Sequence, residues 1–251
     1  MFKYEMHLHT RQGSKCAASE GKEYVEFYRS LGYTGIVVTD HFFHGNTRPD
    51  RKLPWHQYME EFLGGYYDAK EAAEGKDFDV FFGVEELFDC LDEYLIYGLE
   101  PEWFISHPEI KDMKTSERAE YLGMARESGA FIIQAHPFRY RAAYYTRDHH
   151  VVAPSLVDGY EIFNSCNEPE HNKLAVLFAQ NEKDKVVISG SDRHKAEDYI
   201  STPGGIILPE RAGNLHELID AVKQGKQTLM GIESIDNVGD DVTPALPVQY
   251  T

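Results

Sequence analysis

The chain of 251 residues is long enough for one large domain, and its 42% hydrophobic and 27% charged residues are typical of a globular protein. A formal net charge of −17 disfavours binding to extended nucleic acid, because such binding needs clustered Lys and Arg. The sequence has no apolar run as long as a signal peptide's or a bilayer span, so we expect a cytoplasmic protein without a membrane partner.

Short apolar segments alternate with helical patterns along the chain. The first half reads as strand 2–8, helix 20–31, strand 35–39, one helix 55–74, and strands 79–84 and 94–98. The second half reads as helix 115–128, strands 130–134 and 157–163, helix 168–182, strands 186–189 and 205–208, helix 215–224 and strand 227–230. This order predicts an α/β domain with a mostly parallel sheet, either open or closed as a barrel.

We expect a single domain over residues 1–251, since the sequence shows no internal repeat and no low-complexity segment. Residues 139–154 are rich in Tyr, Arg and His without a clear period, which predicts a loop over a site. The tail from about residue 236 contains several Asp and Pro residues and is predicted to be an irregular surface arm.

Residues that commonly bind metals lie at the ends of five predicted strands. They are His7 and His9, Asp40 and His41, Glu85, His136, and Asp192 with His194. The carboxyl ends of parallel strands open onto one face, so these side chains are expected to converge there. Residues two apart in extended chain project to the same side, so each i, i+2 pair can hold one ion. With histidine and carboxylate ligands, and no CxxC among the three cysteines, the pattern favours Zn, Mn or Fe(II).

Five sequence blocks carry a family resemblance: MHLHT, IVVTDH, FFGVEE, IIQAHPFR and ISGSDRH. In this order they resemble the motifs of the PHP (polymerase and histidinol phosphatase) superfamily, and they run from residue 5 to residue 194. The resemblance implies a distorted (β/α)7 barrel, phosphoesterase activity and a metal cluster at the strand ends. It implies that the metal ligands are His7, His9, His41, Glu85, His136, Asp192 and His194.

The chain departs from the superfamily pattern at two places. Members often carry Asp or His about six residues after the HxH pair, where this chain has Ser14, Lys15 and Cys16. Many also have a histidine on the strand after the Glu motif, where this chain reads Glu93-Tyr94-Leu95-Ile96. We therefore expect two tightly bound ions bridged by Glu85 and a third, weaker ion. Glu20, Glu93, Cys16 and Glu161 are the candidates for further contributions.

The expected chemistry is in-line attack on phosphorus by a metal-activated hydroxide, since bound divalent ions lower the pKa of water. Arg139 is the first candidate for binding phosphate, because a guanidinium can contact two phosphate oxygens, and Arg11 and Arg193 are weaker candidates. Asp40, beside a predicted ligand, is expected either to orient an imidazole or to protonate the leaving group.

The main functional hypothesis is a phosphatase for a small phosphorylated substrate, such as a histidinol-phosphate-like monoester or a nucleotide. One alternative is an exonuclease or nucleotide phosphodiesterase, which would need a groove lined with cationic and aromatic side chains. Another is a regulatory or binding module with reduced catalysis. The sequence leaves the natural substrate and the oligomeric state open.

Overall fold

The computed structural model describes residues 1–89, 91–143, 147–197 and 202–251. The first half contains β1 (Phe2–Leu8), α1 (Gly21–Ser30), β2 (Gly35–Val38), α2 (Trp55–Phe62), α3 (Gly64–Ala73), β3 (Asp79–Leu87), β4 (Glu93–Tyr97), α4 (Pro101–Ser106) and α5 (Arg118–Glu127). The second half contains β5 (Phe131–Gln134), β6 (His150–Val152), β7 (Gly159–Asn164), α6 (Pro169–Ala179), β8 (Val186–Gly190), β9 (Ile206–Leu208), α7 (Leu215–Lys223), β10 (Thr228–Leu229) and β11 (Val248–Tyr250).

The main sheet has nine strands in the order β10-β9-β1-β2-β3-β4-β5-β7-β8. The pairs β1-β2, β2-β3, β5-β7 and β7-β8 are parallel, whereas β4 runs antiparallel to both of its neighbours. The seven strands from β1 to β8 in this order form a barrel-like sheet with β4 reversed. The predicted distorted (β/α)7 barrel is therefore confirmed.

The barrel closes at the carboxyl ends of its first and last parallel strands. The main-chain N–H of Asp192 donates to the carbonyl of His7, and that of His9 donates to Arg193, each at 2.8 Å. At the opposite end, Phe2 of β1 pairs instead with Leu208 of β9. The closed end therefore holds together the two chain segments that carry four predicted ligands.

Two apolar clusters support this arrangement. The larger one is rich in aromatic residues and joins the loop after β2 to α2 and α4, where the ring of Phe42 contacts those of Trp55, Tyr58, Phe62 and Phe104. The other packs strand residues, including Tyr4, Met6, Leu95 and Ile133, against the apolar face of α7. Burial of these side chains on both sides fixes the strands, and with them the positions of the residues that follow.

Two local expectations were wrong. The predicted helix 55–74 is divided at Leu63 into α2 and α3. Gly65 then lies so close to Thr10 that a Cβ there would clash, which explains a glycine-rich start to α3. The tail from about residue 236 is not irregular throughout, because Val248–Tyr250 pairs in parallel with His150–Val152. That second segment belongs to the predicted loop 139–154, whose residues 144–146 lie outside the described residues.

Candidate metal centre

Eight side chains that can bind metals meet at the closed end of the barrel. They form four overlapping groups whose ligand atoms lie within 4.8 Å of one another: His9, His41 and His194; His7, His9 and Glu85; His7, His136 and Asp192; and His41, Glu85 and Glu93. All seven ligands predicted from the sequence are present, together with Glu93. Most members are buried, and the side chain of His194 is the most exposed at 31%. The cluster therefore opens to solvent on the side of His194.

The two histidines of β1 form the centre of the cluster. Their Nε2 atoms lie 3.1 Å apart. His7 Nε2 is 3.2 Å from Glu85 Oε1, and His9 Nε2 is 3.0 Å from Asp192 Oδ1. Two imidazole nitrogens and two carboxylates therefore face a common volume, as shared metal ions require.

His41 and Glu85 provide a direct test of whether the residues fit a cation. His41 Nδ1 and Glu85 Oε2 lie 2.8 Å apart and are both buried, yet neither atom makes a hydrogen bond within the described part of the chain. Buried polar atoms are nearly always hydrogen-bonded, so a close pair without hydrogen-bond geometry fits two atoms that could share a cation. The donor set fits Zn, Mn or Fe(II).

Glu93 enters the cluster through the reversed strand β4. It is the first residue of that strand and pairs with Leu87 at the end of β3, so the amino end of β4 lies beside the carboxyl ends of the parallel strands. Its carboxylate lies 3.5 Å from His136 Nε2 and 3.7 Å from His41 Nδ1. Glu93, one of the candidates for a further contribution, therefore lies at the cluster because β4 is reversed.

Two of the ligand candidates have strained backbones. His136 has φ of 27° and Asp192 has φ of 53°, in the region that residues with a Cβ rarely adopt. Each is the second residue after the end of a strand, and the side chains of both belong to the cluster. Such strain persists only where the surrounding structure enforces it, and it is common at functional sites.

Glu161 contacts the nitrogen of His7 that faces away from the cluster. Its Oε1 atom lies 3.0 Å from His7 Nδ1, while its Oε2 accepts hydrogen bonds from the main-chain N–H of His136 and from Asn164 Nδ2. A carboxylate on one imidazole nitrogen fixes the tautomer that presents the other nitrogen to a metal. Glu161, which Asn164 contacts, therefore orients the ligand candidate His7.

Glu5 is a buried residue of the site that the sequence reasoning missed. Its Oε1 accepts hydrogen bonds from the main-chain N–H groups of His7 and Ser191, each at 2.9 Å, and Tyr28 donates to its Oε2 at 2.8 Å. Burial raises its pKa. Glu5 joins the end of β1 to the end of β8. Its place within a buried strand was the only signal in the sequence.

Asp40 lies behind the cluster. Its carboxylate accepts hydrogen bonds from the N–H and hydroxyl of Thr10, each at 2.6 Å, and from the Ser14 hydroxyl at 2.7 Å. The Ser14 oxygen in turn accepts from the His41 N–H and lies 3.3 Å from His9 Nδ1. Burial raises the pKa of Asp40 to about 6. Of its two predicted roles, this geometry favours orientation of imidazoles over proton transfer.

Arg139 reaches the cluster, but its guanidinium contacts protein oxygens. Nη1 lies 2.6 Å from Asp192 Oδ2, Nε donates to Asn167 and Nη2 donates to Asn164. Arg139 is therefore positioned to hold Asp192. The guanidinium charge, together with His7, keeps the pKa of Asp192 well below its usual range even though burial opposes this.

The weaker cationic candidates lie elsewhere. Arg11 pairs with Glu20, which also binds Lys22, and Glu20 belongs to none of the four ligand groups. Arg193 donates to the carbonyls of Lys195 and Ala196 and stacks over Phe27, so its guanidinium is turned toward α1.

The imidazoles of the cluster have unequal electrostatic environments. Burial lowers the pKa of His7, but the charges of Glu161, Glu85 and Asp192 outweigh this effect and raise it well above its usual value. Burial and the neighbouring His41 and His194 lower the pKa of His9. His9 is thus held neutral, the form in which an imidazole binds a metal.

Cys16 lies at the solvent side of the cluster. Partial burial raises the pKa of its thiol, but hydrogen bonding to His194 and His41 outweighs this and lowers it to about 6. The seven other histidines lie outside the four groups in the described structure: His44, His56, His107, His149, His150, His171 and His216.

No helix among the described residues is both long and apolar enough to span a membrane. No protein-family model matches the sequence, and no curated protein matches it significantly. Solved structures do resemble it.

A two-domain protein of Bacteroides vulgatus ATCC 8482 contains a predicted PHP-like metal-dependent phosphoesterase. It superposes with a TM-score of 0.63 at 16% identity, over 91% of this chain and 64% of that one. A candidate metal-dependent phosphoesterase of Bifidobacterium adolescentis ATCC 15703 has a TM-score of 0.52 at 14% identity, over 86% and 94% of the two chains.

The lesion-specific endonuclease Q of Pyrococcus furiosus gives a TM-score of 0.55 at 14% identity, over 91% of this chain and 57% of that one. An endonuclease Q has also been solved with a 27-mer duplex that carries an abasic lesion at the active site. This chain spans less than two thirds of the Bacteroides protein and of endonuclease Q. The chain has the fold of the PHP-like phosphoesterases, and the resemblance carried by its five sequence motifs is confirmed at the level of the fold.

Proposed function

We propose that this protein is a metal-dependent phosphoesterase whose substrate is a small phosphomonoester. One observation carries the proposal: eight histidine and carboxylate side chains from separate strand ends form one connected cluster. A buried group of five imidazoles and three carboxylates without cations would be unfavourable, because like groups are brought together away from water. Divalent ions would remove this conflict.

The ligand groups suggest how ions would be shared. His7, His9, Glu85 and Asp192 face one volume, while His41, Glu85, Glu93 and His136 face another. Glu85 belongs to both sets, which supports its predicted role as a bridging carboxylate. Two or three divalent ions, of Zn, Mn or Fe(II), fit these donors. When bound, such ions supply an activated water and neutralise charge on phosphate oxygens.

The protein's own residues prepare this site. Glu161 and Asn164 fix His7, the Asp40-Ser14 pair holds His9 and His41, and Arg139 holds Asp192. Preorganised ligands keep the reacting centre in place without rearrangement during the reaction. Arg139 also places a positive charge beside the cluster, where the phosphate group of a substrate would lie.

Burial and charge favour a small substrate. The cluster lies below the surface, with its most exposed ligand candidate, His194, only 31% accessible, and the chain carries a net charge of −17. A strongly acidic molecule repels the phosphate backbone of an extended duplex. Binding driven by counterion release would need clustered cationic side chains instead. A nuclease that acts on a single displaced nucleotide is the second candidate, and the fold shared with endonuclease Q favours it.

A substrate panel tests the proposal. Purified protein loaded separately with Zn, Mn and Fe(II) would be assayed for phosphate release from an aryl phosphate and from nucleoside and amino-alcohol monophosphates. The same preparations would be assayed for cleavage of an aryl phosphodiester and of a duplex with one abasic site. We expect chelator-sensitive turnover of monoesters. Faster cleavage of the duplex would favour the nuclease, and inactivity of every metal-loaded preparation would favour a binding module.

A further inference from the structure

Ser14 places a buried hydroxyl between two ligand candidates of the metal centre. The main-chain N–H of His41 donates to its Oγ atom at 2.9 Å, and the Ser14 hydroxyl donates to Asp40 Oδ1 at 2.7 Å. The same Oγ atom lies 3.3 Å from Nδ1 of His9. Ser14 and His9 are both 0% exposed, so bulk water does not reach these contacts.

The turn that follows β1 fixes the position of this hydroxyl. The Ser14 N–H donates to the carbonyl of Thr10 at 2.9 Å, and Thr10 donates from its own N–H and hydroxyl to the two oxygens of Asp40. A Cβ atom at Gly13 would lie 2.3 Å from Asp40 Cγ, so the turn can approach this carboxylate closely only with glycine there. The hydroxyl is therefore held by the main chain as well as by its own hydrogen bonds.

The partners of Ser14 determine where the hydrogen atoms of this group lie. A hydroxyl has one hydrogen and two lone pairs, whereas a main-chain N–H can only donate and a carboxylate can only accept. The hydrogen of Ser14 is directed at Asp40, and one of its lone pairs accepts from the His41 N–H. The remaining lone pair faces His9 Nδ1, which must then carry a hydrogen. Nε2 of His9, which faces the cluster, is left with a free lone pair.

We propose that Ser14 is a positioning residue of the metal centre, which fixes His9 in the tautomer with hydrogen on Nδ1 and so presents Nε2 to a divalent ion. The partner of one ring nitrogen sets the tautomer and orientation of a histidine ligand. For His7 that partner is the carboxylate of Glu161, at 3.0 Å from Nδ1. For His9 the Ser14 hydroxyl links the imidazole to the carboxylate of Asp40 instead. The inference rests on the proposed metal centre and adds a residue that prepares it.

The tautomer of His9 can be measured in metal-free protein, where no ion influences it. The 15N chemical shifts of the histidine rings would be recorded at mildly alkaline pH, and the signals of His9 would be identified by their absence in His9→Gln. We expect hydrogen on Nδ1 and none on Nε2. In Ser14→Ala the Nδ1–H loses its acceptor, so it should exchange with water about tenfold faster, the equivalent of one hydrogen bond.

The affinity for zinc tests whether this tautomer matters to the metal centre. Competition with a chromophoric chelator should show about 10- to 100-fold weaker binding in Ser14→Ala, as expected when a histidine ligand loses its partner. Ser14→Thr keeps the hydroxyl and should restore the wild-type affinity. Ser19→Ala is the matched control and should bind zinc as the wild type does. Ser19 is a buried serine of the same loop, but its hydroxyl accepts from the Ala196 N–H.

The results separate this inference from the proposed function. A wild-type spectrum with hydrogen on Nε2 of His9 would overturn the inference, even if Ser14→Ala were too unstable to study. So would unchanged zinc affinity and Nδ1–H exchange in a folded Ser14→Ala variant. If the tautomer and the zinc affinity depend on Ser14 but no phosphate ester is cleaved, the inference stands and the proposed function fails.

Discussion

The Nε2 atoms of His7 and His9 lie 3.1 Å apart within the closed end of the barrel, each beside a carboxylate. Both Nε2 atoms are directed at the cluster, so the two rings serve the site and do not pack in the apolar core. His7→Ala and Asp192→Ala should each reduce kcat/KM at least a hundredfold, roughly the contribution of metal-bound water, while the circular dichroism spectrum stays native. His44→Ala is the matched control, since His44 is a largely buried histidine outside the cluster. Full activity and metal content in His7→Ala would remove His7 from the site.

Glu161 should control metal affinity without binding the ion. Its Oε2 accepts hydrogen bonds from the His136 N–H and from Asn164 Nδ2. A glutamine in its place could put its NH2 group at this position, where it would face these two N–H donors without an acceptor. Glu161→Gln should weaken metal binding by about 10- to 100-fold, as expected for the loss of a carboxylate behind a histidine ligand. Competition with a chromophoric chelator measures this. An unchanged dissociation constant would show that Glu161 has no part in orienting His7.

Arg139 makes three directed contacts, to Asp192, Asn164 and Asn167, and a lysine ammonium cannot reproduce this planar arrangement. Arg139→Lys should therefore reduce kcat/KM by roughly 10- to 100-fold, the equivalent of one charged hydrogen bond. Steady-state kinetics with an aryl phosphate, at saturating metal, is the measurement. Identical constants in the variant and the wild type would contradict the assignment.

Glu93 should contribute to the number of bound ions. Since its carboxylate lies near both His41 and His136, Glu93→Gln should lose the ion shared with Glu85, and elemental analysis after dialysis should show fewer ions per chain. Glu86→Gln is the control, because Glu86 is a buried neighbour of Glu85 that contacts His44 instead. Equal metal content in Glu93→Gln and the wild type would show that Glu93 does not bind an ion.

His150 should make the fold sensitive to acid independently of the metals. Burial, with Arg147 nearby, lowers its pKa from 6.5 to about 4. Because the pKa of His150 is lower in the folded protein than in the unfolded chain, its contribution to stability is complete above pH 6.5. This contribution is lost as the pH falls from 6.5 toward 4, where the unfolded chain binds the proton more readily. Between pH 7 and pH 5 the wild type should lose up to about 2 kcal/mol more than His150→Asn in denaturant unfolding of metal-free protein. Parallel pH profiles would contradict this.

The apolar runs predicted a mostly parallel α/β sheet, open or closed, with metal-binding residues at the strand ends. The resemblance to the PHP superfamily implied the barrel and the seven predicted members of the cluster. The sequence named Glu93 only as one of four candidates, since the reversal of β4 that brings Glu93 to the cluster is a property of strand pairing that local periodicity does not carry. Glu5 escaped notice because its partners are main-chain groups of β1 and of Ser191, distant in sequence. The pairing of β11 with β6 was not predicted, because strands of three residues are too short to show a hydrophobic period.

The dependence of phosphate release on bound metal tests the central claim most directly. Metal-free protein would be titrated with Zn, Mn or Fe(II), and the rate of aryl phosphate hydrolysis would be plotted against ions bound per chain, in wild type and in Asp192→Ala. The account predicts no turnover without metal, a rise that follows occupancy in the wild type, and no comparable rise in the variant. Hydrolysis by metal-free protein at the rate of the loaded enzyme, or equal activation of Asp192→Ala, would contradict it.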